Sequence, residues 1–282
     1  MPRTNSQASF TLVEMLVAIS VLAIILLLMA QAANLVGRAS REGTSGVDNF
    51  TKSRAMLDVV ASDLQHAVIR PDLPIFQTGG ILNTNVTGGF TNGAYAAIWF
   101  TQVPGITNSS SVQVRNVSLV SYAIVIPTNS SDKIALQRSD LAIPWNQGAA
   151  DIAFQGDLTT LANTATPREM APGVVGFQLS FRRADGTIST QYTGYNAANP
   201  VVAVGITLAV IGDQALSELT SPLLSHIQST LTNNTPNTTN NIPGVKALWD
   251  ANLTSAFYGL YPKDLAINLK TFERWIVPAQ PF

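Results

Sequence analysis

Cysteine is absent from the 282 residues. That removes disulfides, thiolate metal centres and cysteine nucleophiles, and it leaves the redox compartment open, because an oxidising compartment permits bridges without requiring them. Histidine occurs twice, at His66 and His226, which starves most acid–base and metal schemes. Charge is scarce as well: Asp, Glu, Lys and Arg make up 12% of the chain, about half of the roughly 25% usual in soluble domains. Ser, Thr, Asn, Gln and Gly must therefore supply the contact with water, a profile that suits a secreted or cell-surface protein. Neither sign of charge dominates. Sixteen basic residues face seventeen acidic ones, which leaves no electrostatic footprint for a phosphate backbone, so nucleic acid is not expected as a partner. There is no Walker loop, dinucleotide fingerprint, nucleophile elbow or His-Glu-x-x-His pattern, so neither an enzyme nor a cofactor is expected. Asp132, Asp140, Asp151 and Asp157 are scattered without EF-hand spacing and read as solvated loop carboxylates, so no metal site is expected either.

What the chain does have is apolar surface. Hydrophobic residues form 46% of it, enough for one substantial core, or one moderate core plus an appendage. From Met15 to Gly37 there are 23 residues without a charged side chain, and Met15 to Ala30 is almost wholly aliphatic. At 1.5 Å per residue this run spans about 34 Å, enough to cross a hydrocarbon layer of about 30 Å, and it predicts a transmembrane helix. A secretory signal peptide would carry a shorter apolar stretch and a small-residue cleavage site; Ala30-Gln31-Ala32 is the nearest candidate, and the stretch before it is too long. The segment Met1 to Ser9 is polar and carries Arg3 without an acid. Arg38 and Arg41, offset by Glu42, flank the other end, so charge orients the chain only weakly with its N-terminus inside.

Glu14 stands at the start of the apolar run. In the middle of a bilayer it would cost about 2.5 to 3.5 kcal/mol, so it belongs near the interface or beside a cation. The string Ser9-Phe10-Thr11-Leu12-Val13-Glu14-Met15-Leu16-Val17-Ala18, behind a short basic leader and ahead of an aliphatic helix, resembles the prepilin N-terminus of type IV pilins and type II secretion pseudopilins. The resemblance implies that a prepilin peptidase cuts between Ser9 and Phe10 on the cytoplasmic side and methylates the new Phe10 amine, while the hydrophobic segment is retained. Ser9 stands where such families usually have Gly. It further implies that Glu14 meets the N-terminal amine of a neighbouring subunit. Such a pair sets register more than it adds stability, because desolvation offsets much of the attraction. Leu12, Val13, Leu16 and Ile19 belong to the helix surface, Leu12 to Leu35, expected to pack against other pilins or pseudopilins.

Beyond the apolar run, Gly43 and Gly46 each cost about 1 kcal/mol in a helix interior, which predicts a weakened or kinked helix there. Helical periodicity returns at Met56, Leu57, Val60, Leu64, Ala67 and Val68, with Lys52, Arg54, Asp58, Asp63 and Gln65 elsewhere, and Pro71 is expected to end the helix after Arg70. Strands are expected over Ala94–Gln102, Val117–Ile126 and Lys133–Ser139 as a meander, with a turn at Pro127–Asp132. A half-buried strand over Val174–Arg183, an Asp185-Gly186 hairpin returning through Ile188–Tyr195, and a central strand over Val201–Ile211 follow. Trp99, Phe100, Phe177, Phe181 and Trp275 read as sheet core rather than as a glycan platform. The fold class is therefore α+β: one long N-terminal helix, transmembrane in its first half, packed on an antiparallel sheet in the manner of pilins.

Within that group the chain is most similar to the J-type minor pseudopilin of type II secretion. The likeness rests on Arg54-Ala55-Met56-Leu57, Asp63-Leu64-Gln65-His66-Ala67-Val68 and Arg70-Pro71, then Ser121-Tyr122-Ala123 with Leu136-Gln137-Arg138, Val174 to Phe181 with Asp185-Gly186, and Pro200 to Leu208. Gly79–Asn92 and Asp140–Pro172 read as insertions. The expected organisation is a leader at 1–9, the transmembrane half-helix at 10–37, an exported α+β domain at 38–213 and an extension at 214–282. The extension comprises a helix broken at Pro222, a Thr/Asn-rich linker at 230–241, a packing segment over Ala247–Tyr261 and a last strand over Leu265–Val277. The resemblance implies a minor pseudopilin in the bacterial inner membrane, at a filament tip or assembly-initiating complex, partnered by the prepilin peptidase, other pseudopilins and the membrane. A minor pilin of a type IV pilus or competence filament shares the same N-terminus. A membrane-tethered surface-binding protein that never polymerises is the alternative of another class.

Overall fold

The computed structural model describes residues 11–68, 97–103, 105–106, 114–115, 117–125, 134–142, 167–190, 192, 194, 196–217, 219–232, 244–260 and 268–278. The chain divides into two compact units, Met1–Thr44 and Ser45–Phe282. Helix α1, Leu12–Gln65, is 54 residues long and belongs to both. It is helical through Gly43 and Gly46, where their propensity predicts a weakened or kinked helix. A Cβ at either glycine would meet nothing within 4 Å, so neither is demanded by packing within the chain, and the boundary between the units falls between them.

In the second unit the strands are β1 (Ala97–Thr101), β2 (Gly105–Ile106), β3 (Val114–Arg115), β4 (Ser118–Val125), β5 (Ala135–Ala142), β6 (Pro167–Pro172), β7 (Val174–Arg183), β8 (Ile188–Ser189), β9 (Val201–Ile211) and β10 (Leu269–Ile276). Helices α2 (Asp213–Leu216), α3 (Ser221–Thr232) and α4 (Val245–Leu260) lie between β9 and β10. Among the described residues the strands make two sheets rather than one. The first has the order β1-β4-β5-β2-β3 with β6 also on β5; the second has the order β10-β9-β7-β8. Pairing is antiparallel except at β2, where Ile106 faces Leu141 of β5 in parallel. The expected meander is present as β1, β4 and β5, and the stretch read as an insertion supplies β6. The turn expected at 127–132 lies outside the described residues; of the linker expected over 230–241, residues 230–232 instead end helix α3 and the rest lies outside them.

The second half of α1 buries Met56, Leu57, Val60, Ala61 and Leu64. Burial of each of the four larger side chains is worth about 1.5 to 3 kcal/mol. The helix ends at Gln65, five residues before the proline-based expectation. The reason is a competing partner for the backbone: Gln102 N–H donates to the His66 carbonyl and Val68 N–H donates to the Phe100 carbonyl, both at 2.8 Å, so the chain after Gln65 lies along the edge of β1. Contacts with the C-terminal strand hold the same helix further up. Phe50 meets Phe272 with ring centroids 6.3 Å apart, Arg274 pairs with Asp58, and Asn49 Nδ2 donates to the Asn268 carbonyl. Lys52 pairs with Asp213 at 2.7 Å.

Asp63 departs from the expected polar face. It is 3% exposed and stands between the helix and the first sheet. Its Oδ2 accepts from Tyr122 OH at 2.5 Å and from Arg138 Nε at 2.8 Å, and its Oδ1 accepts from Arg138 Nη2 at 3.3 Å. Its backbone carbonyl accepts from Thr101 Oγ1 and Trp99 Nε1. Arg138 also reaches Asp140, which is therefore a paired strand residue and not a solvated loop carboxylate; Asp132, Asp151 and Asp157 lie outside the described residues. Burial acts to lower the Arg138 pKa, but the Asp63 carboxylate outweighs it and keeps the guanidinium charged. Burial first, and the adjacent Asp63 charge second, push the Tyr122 phenol well above its usual range.

Strand β7 is buried on both faces from Val174 to Phe181, not half-buried as its alternation predicts. Phe177 stacks on Tyr122 at 5.7 Å on one face. On the other, Gly176 lies under α3 and α4: a Cβ there would come within 2.8 Å of Leu231 and 3.2 Å of Trp249. The Asp-Gly hairpin forms with Gly186 at φ 85°, a conformation that costs glycine little. Its returning strand β8 is only two residues long. Pro222 does not break a helix but sits in the first turn of α3, where its missing N–H has no intrahelical partner to lose. Trp99, Phe100, Phe177 and Phe181 are buried core residues and Trp275 is half-buried over Gly205.

Candidate processing and assembly site

The first unit is dominated by exposed apolar side chains of α1. Over Leu12–Ser40 the helix has 29 residues, about 44 Å of length, and none of its most apolar stretch is buried. Length and composition suffice to cross a membrane. The residues expected to pack against neighbours are among the most exposed: Leu12 82%, Val13 69%, Leu16 61% and Ile19 63%. Leu12, Leu16 and Ile19 follow the i, i+4, i+7 spacing of one helix face, with Val13 at its flank. Glu14 projects from the opposite side, so the acid and the apolar ridge belong to different surfaces. Ser9 and Phe10 lie outside the described residues.

Glu14 is the third residue of α1, and its carboxylate turns back on its own helix start. Thr11 N–H and Thr11 Oγ1 both donate to Glu14 Oε2 at 2.9 Å, and Glu14 N–H donates to Thr11 Oγ1 at 3.3 Å. This is a capping box: the hydroxyl satisfies one amide left open at the helix end, and the acid satisfies another. The carboxylate also complements the positive end of the helix dipole. Thr11 has no assigned role in the sequence reading, although its signal is there as Thr-x-x-Glu before an apolar run. The arrangement supplies an acid held in a fixed place at the head of an apolar rod.

Both histidines belong to the second unit. His66 is exposed, with Nδ1 2.7 Å from the Ser62 carbonyl, which can only accept; that proton therefore resides on Nδ1. His226 is exposed on α3. Among the described residues no group of three His, Cys, Asp or Glu is arranged to hold a metal ion.

No characterised protein and no solved structure matches the chain. Residues 4–30 match the family model of the prokaryotic N-terminal methylation motif, a segment that contains the Ser9–Phe10 bond, the Thr11–Glu14 capping box and the first two thirds of the exposed apolar run. The chain thus carries a type IV pilin-like N-terminus, of the kind that implies prepilin peptidase processing and pilin-type assembly, ahead of an α+β fold.

Proposed function

We propose that this protein is a minor pseudopilin, a structural subunit at the tip or in the initiating complex of a type II secretion pseudopilus. The observation that carries the reading is the coincidence, in one helix, of the methylation motif with an exposed apolar stretch long enough to cross a membrane. The prepilin peptidase removes Met1 to Ser9 and methylates Phe10. The helix first anchors the subunit in the inner membrane, with the C-terminal domain in the periplasm, and then packs against the helices of other pseudopilins. The subunit performs no covalent chemistry. Its work is to occupy a place in a short filament that couples an inner-membrane motor to the movement of exported proteins.

Glu14 serves register in this scheme. In the free subunit its carboxylate caps its own helix, so it tolerates the membrane interface without a partner; in the filament the Phe10 amine of a neighbour offers it a full opposite charge. Co-expression with a prepilin peptidase and mass spectrometry of the intact chain test the first step, the expected product lacking Met1 to Ser9 and carrying one methyl group on Phe10. An uncleaved leader would refute the reading and leave a simple membrane tether. Deletion of the gene in its own host tests the second step: secretion should fail while pili persist. Loss of pili with secretion intact would move the protein to a type IV pilus.

A further inference from the structure

The uncharged part of the apolar run contains three polar side chains, Ser20, Gln31 and Asn34. Their depth follows from the charges at either end. Glu14 and Arg38 bracket 23 uncharged residues, about 34 Å of helix, so a hydrocarbon layer of about 30 Å fitted between them has its midplane near residue 26. Gln31 then lies about 7 Å and Asn34 about 12 Å from that plane, both inside the apolar layer. Ser20 is satisfied within its own helix, its hydroxyl donating to the Leu16 carbonyl at 2.8 Å. The two amides are exposed and have no hydrogen-bond partner among the described residues. Desolvated amides left in this state are costly, and polar groups at such depth ordinarily face another helix.

Their spacing shows which surface that is. Val17, Ser20, Ile24, Leu27, Gln31 and Asn34 follow one another in alternating steps of three and four, the seam along which two parallel helices interlock. All three uncharged polar residues of the run fall on this one seam, while Glu14 does not. We propose that two copies of this chain pair in parallel along this seam within the membrane, with Gln31 and Asn34 exchanging amide hydrogen bonds between the helices. A second copy is the occupant the chemistry favours. A carboxamide both donates and accepts, so it is complementary to itself, and a copy inserted in the same orientation presents the same amides at the same depth. Polar seam positions of this kind fix register and partner number. The inference rests on the membrane-spanning reading of α1 and is independent of the assignment to a secretion filament.

The absence of cysteine makes the test direct, since a single introduced thiol reports one position. The full-length chain would be reconstituted in phosphatidylethanolamine and phosphatidylglycerol vesicles as Ile24→Cys, Leu27→Cys, Ile25→Cys or Met29→Cys and oxidised. Disulfide dimers are expected from the first two, on the seam, and not from the last two, on the far side. Gln31→Leu with Asn34→Leu leaves the helix at least as apolar, so insertion is preserved; dimer affinity measured by energy transfer between labelled chains should fall roughly threefold to thirtyfold for each hydrogen bond lost. Cross-linking equal around the helix, or an unchanged affinity in the double variant, overturns the pairing. Alkaline washing separates the two levels: a chain that washes off the vesicles overturns the membrane reading and the pairing together, whereas one that stays bound but monomeric overturns the pairing alone.

Discussion

Replacing Arg138 by Met should be among the most damaging single changes in the second unit, because it removes a charge and leaves its partner in place. Asp63 is 3% exposed and receives two of its three side-chain hydrogen bonds from that guanidinium, at 2.8 and 3.3 Å. Among the described residues Tyr122 OH then remains as the one side-chain donor to a carboxylate that is almost fully buried. Breaking a buried pair in this way typically costs about 3 to 5 kcal/mol. Asp63→Asn should be milder, since a neutral amide still accepts from Arg138 and from Tyr122. The replacement of both charges, Asp63→Leu with Arg138→Met, should cost less than Arg138→Met alone, because the buried Asp63 carboxylate is then no longer left behind, while Asp140 loses its cation equally in both variants. Equilibrium denaturant unfolding of the full chain in detergent micelles, followed by Trp fluorescence, measures all three. Trp99 is well placed as a probe: it stacks on Tyr122 at 5.2 Å and donates to the Asp63 carbonyl. A cost below about 1 kcal/mol for Arg138→Met, the scale of an exposed ion pair, would refute the argument.

Further outcomes are expected elsewhere. Thr11→Val removes the capping hydroxyl and should weaken the start of α1 by about 0.5 to 2 kcal/mol, seen as faster hydrogen exchange at residues 12–14 in micelles. Gly43→Ala with Gly46→Ala should raise helix stability by about 1 kcal/mol each, since nothing lies within 4 Å of either new methyl; thermal circular dichroism would show any loss instead. Gly176→Val should destabilise by about 1 to 3 kcal/mol or more, because its side chain would run into Leu231 and Trp249, and a thermal midpoint equal to that of the parent would contradict the close approach. Asp185 is held below the ordinary aspartate range by the hydroxyl and N–H of Thr187 and by Asn199. A depressed carboxylate adds stability above its unfolded pKa and loses that contribution as pH falls through the folded value. The hairpin should therefore loosen only in strong acid, with a carboxyl carbon NMR titration midpoint below that of a free aspartate.

What could be read before the fold was known depended on whether a residue's neighbours were close in the chain. The ends of β7 and β9 coincide with the aliphatic runs that predict them, and Asp185-Gly186 announces a hairpin, because both signals are local. The early end of α1 is not local. It depends on β1, more than thirty residues later, capturing the backbone at 66–68. Asp63 reads as a surface acid because its cation stands 75 residues away on β5. The alternation of β7 carries polarity correctly but not burial, since the covering helices α3 and α4 come from the end of the chain. At the N-terminus the exposed rod and Glu14 are legible from composition alone. The acid's own partner, Thr11, is overlooked because a capping box is a signal of four residues inside a much louder hydrophobic one.

The contacts of the second half of α1 with β10 and the residue just before it join positions 216 to 222 apart. On the ribosome the helix emerges early, yet Phe272, Arg274 and the Asn268 carbonyl, which hold it in place, follow it by more than two hundred residues. Until then β9 lacks one neighbour across all eight of its pairings with β10, and Phe50 and Asp58 of α1 lack their partners. Closing loops of that length is slow, and an unfinished sheet edge is prone to pair with the wrong chain. Closure of the second sheet therefore waits on β10, and a chain stalled a dozen residues short of Ile276 would leave that edge of β9 unpaired.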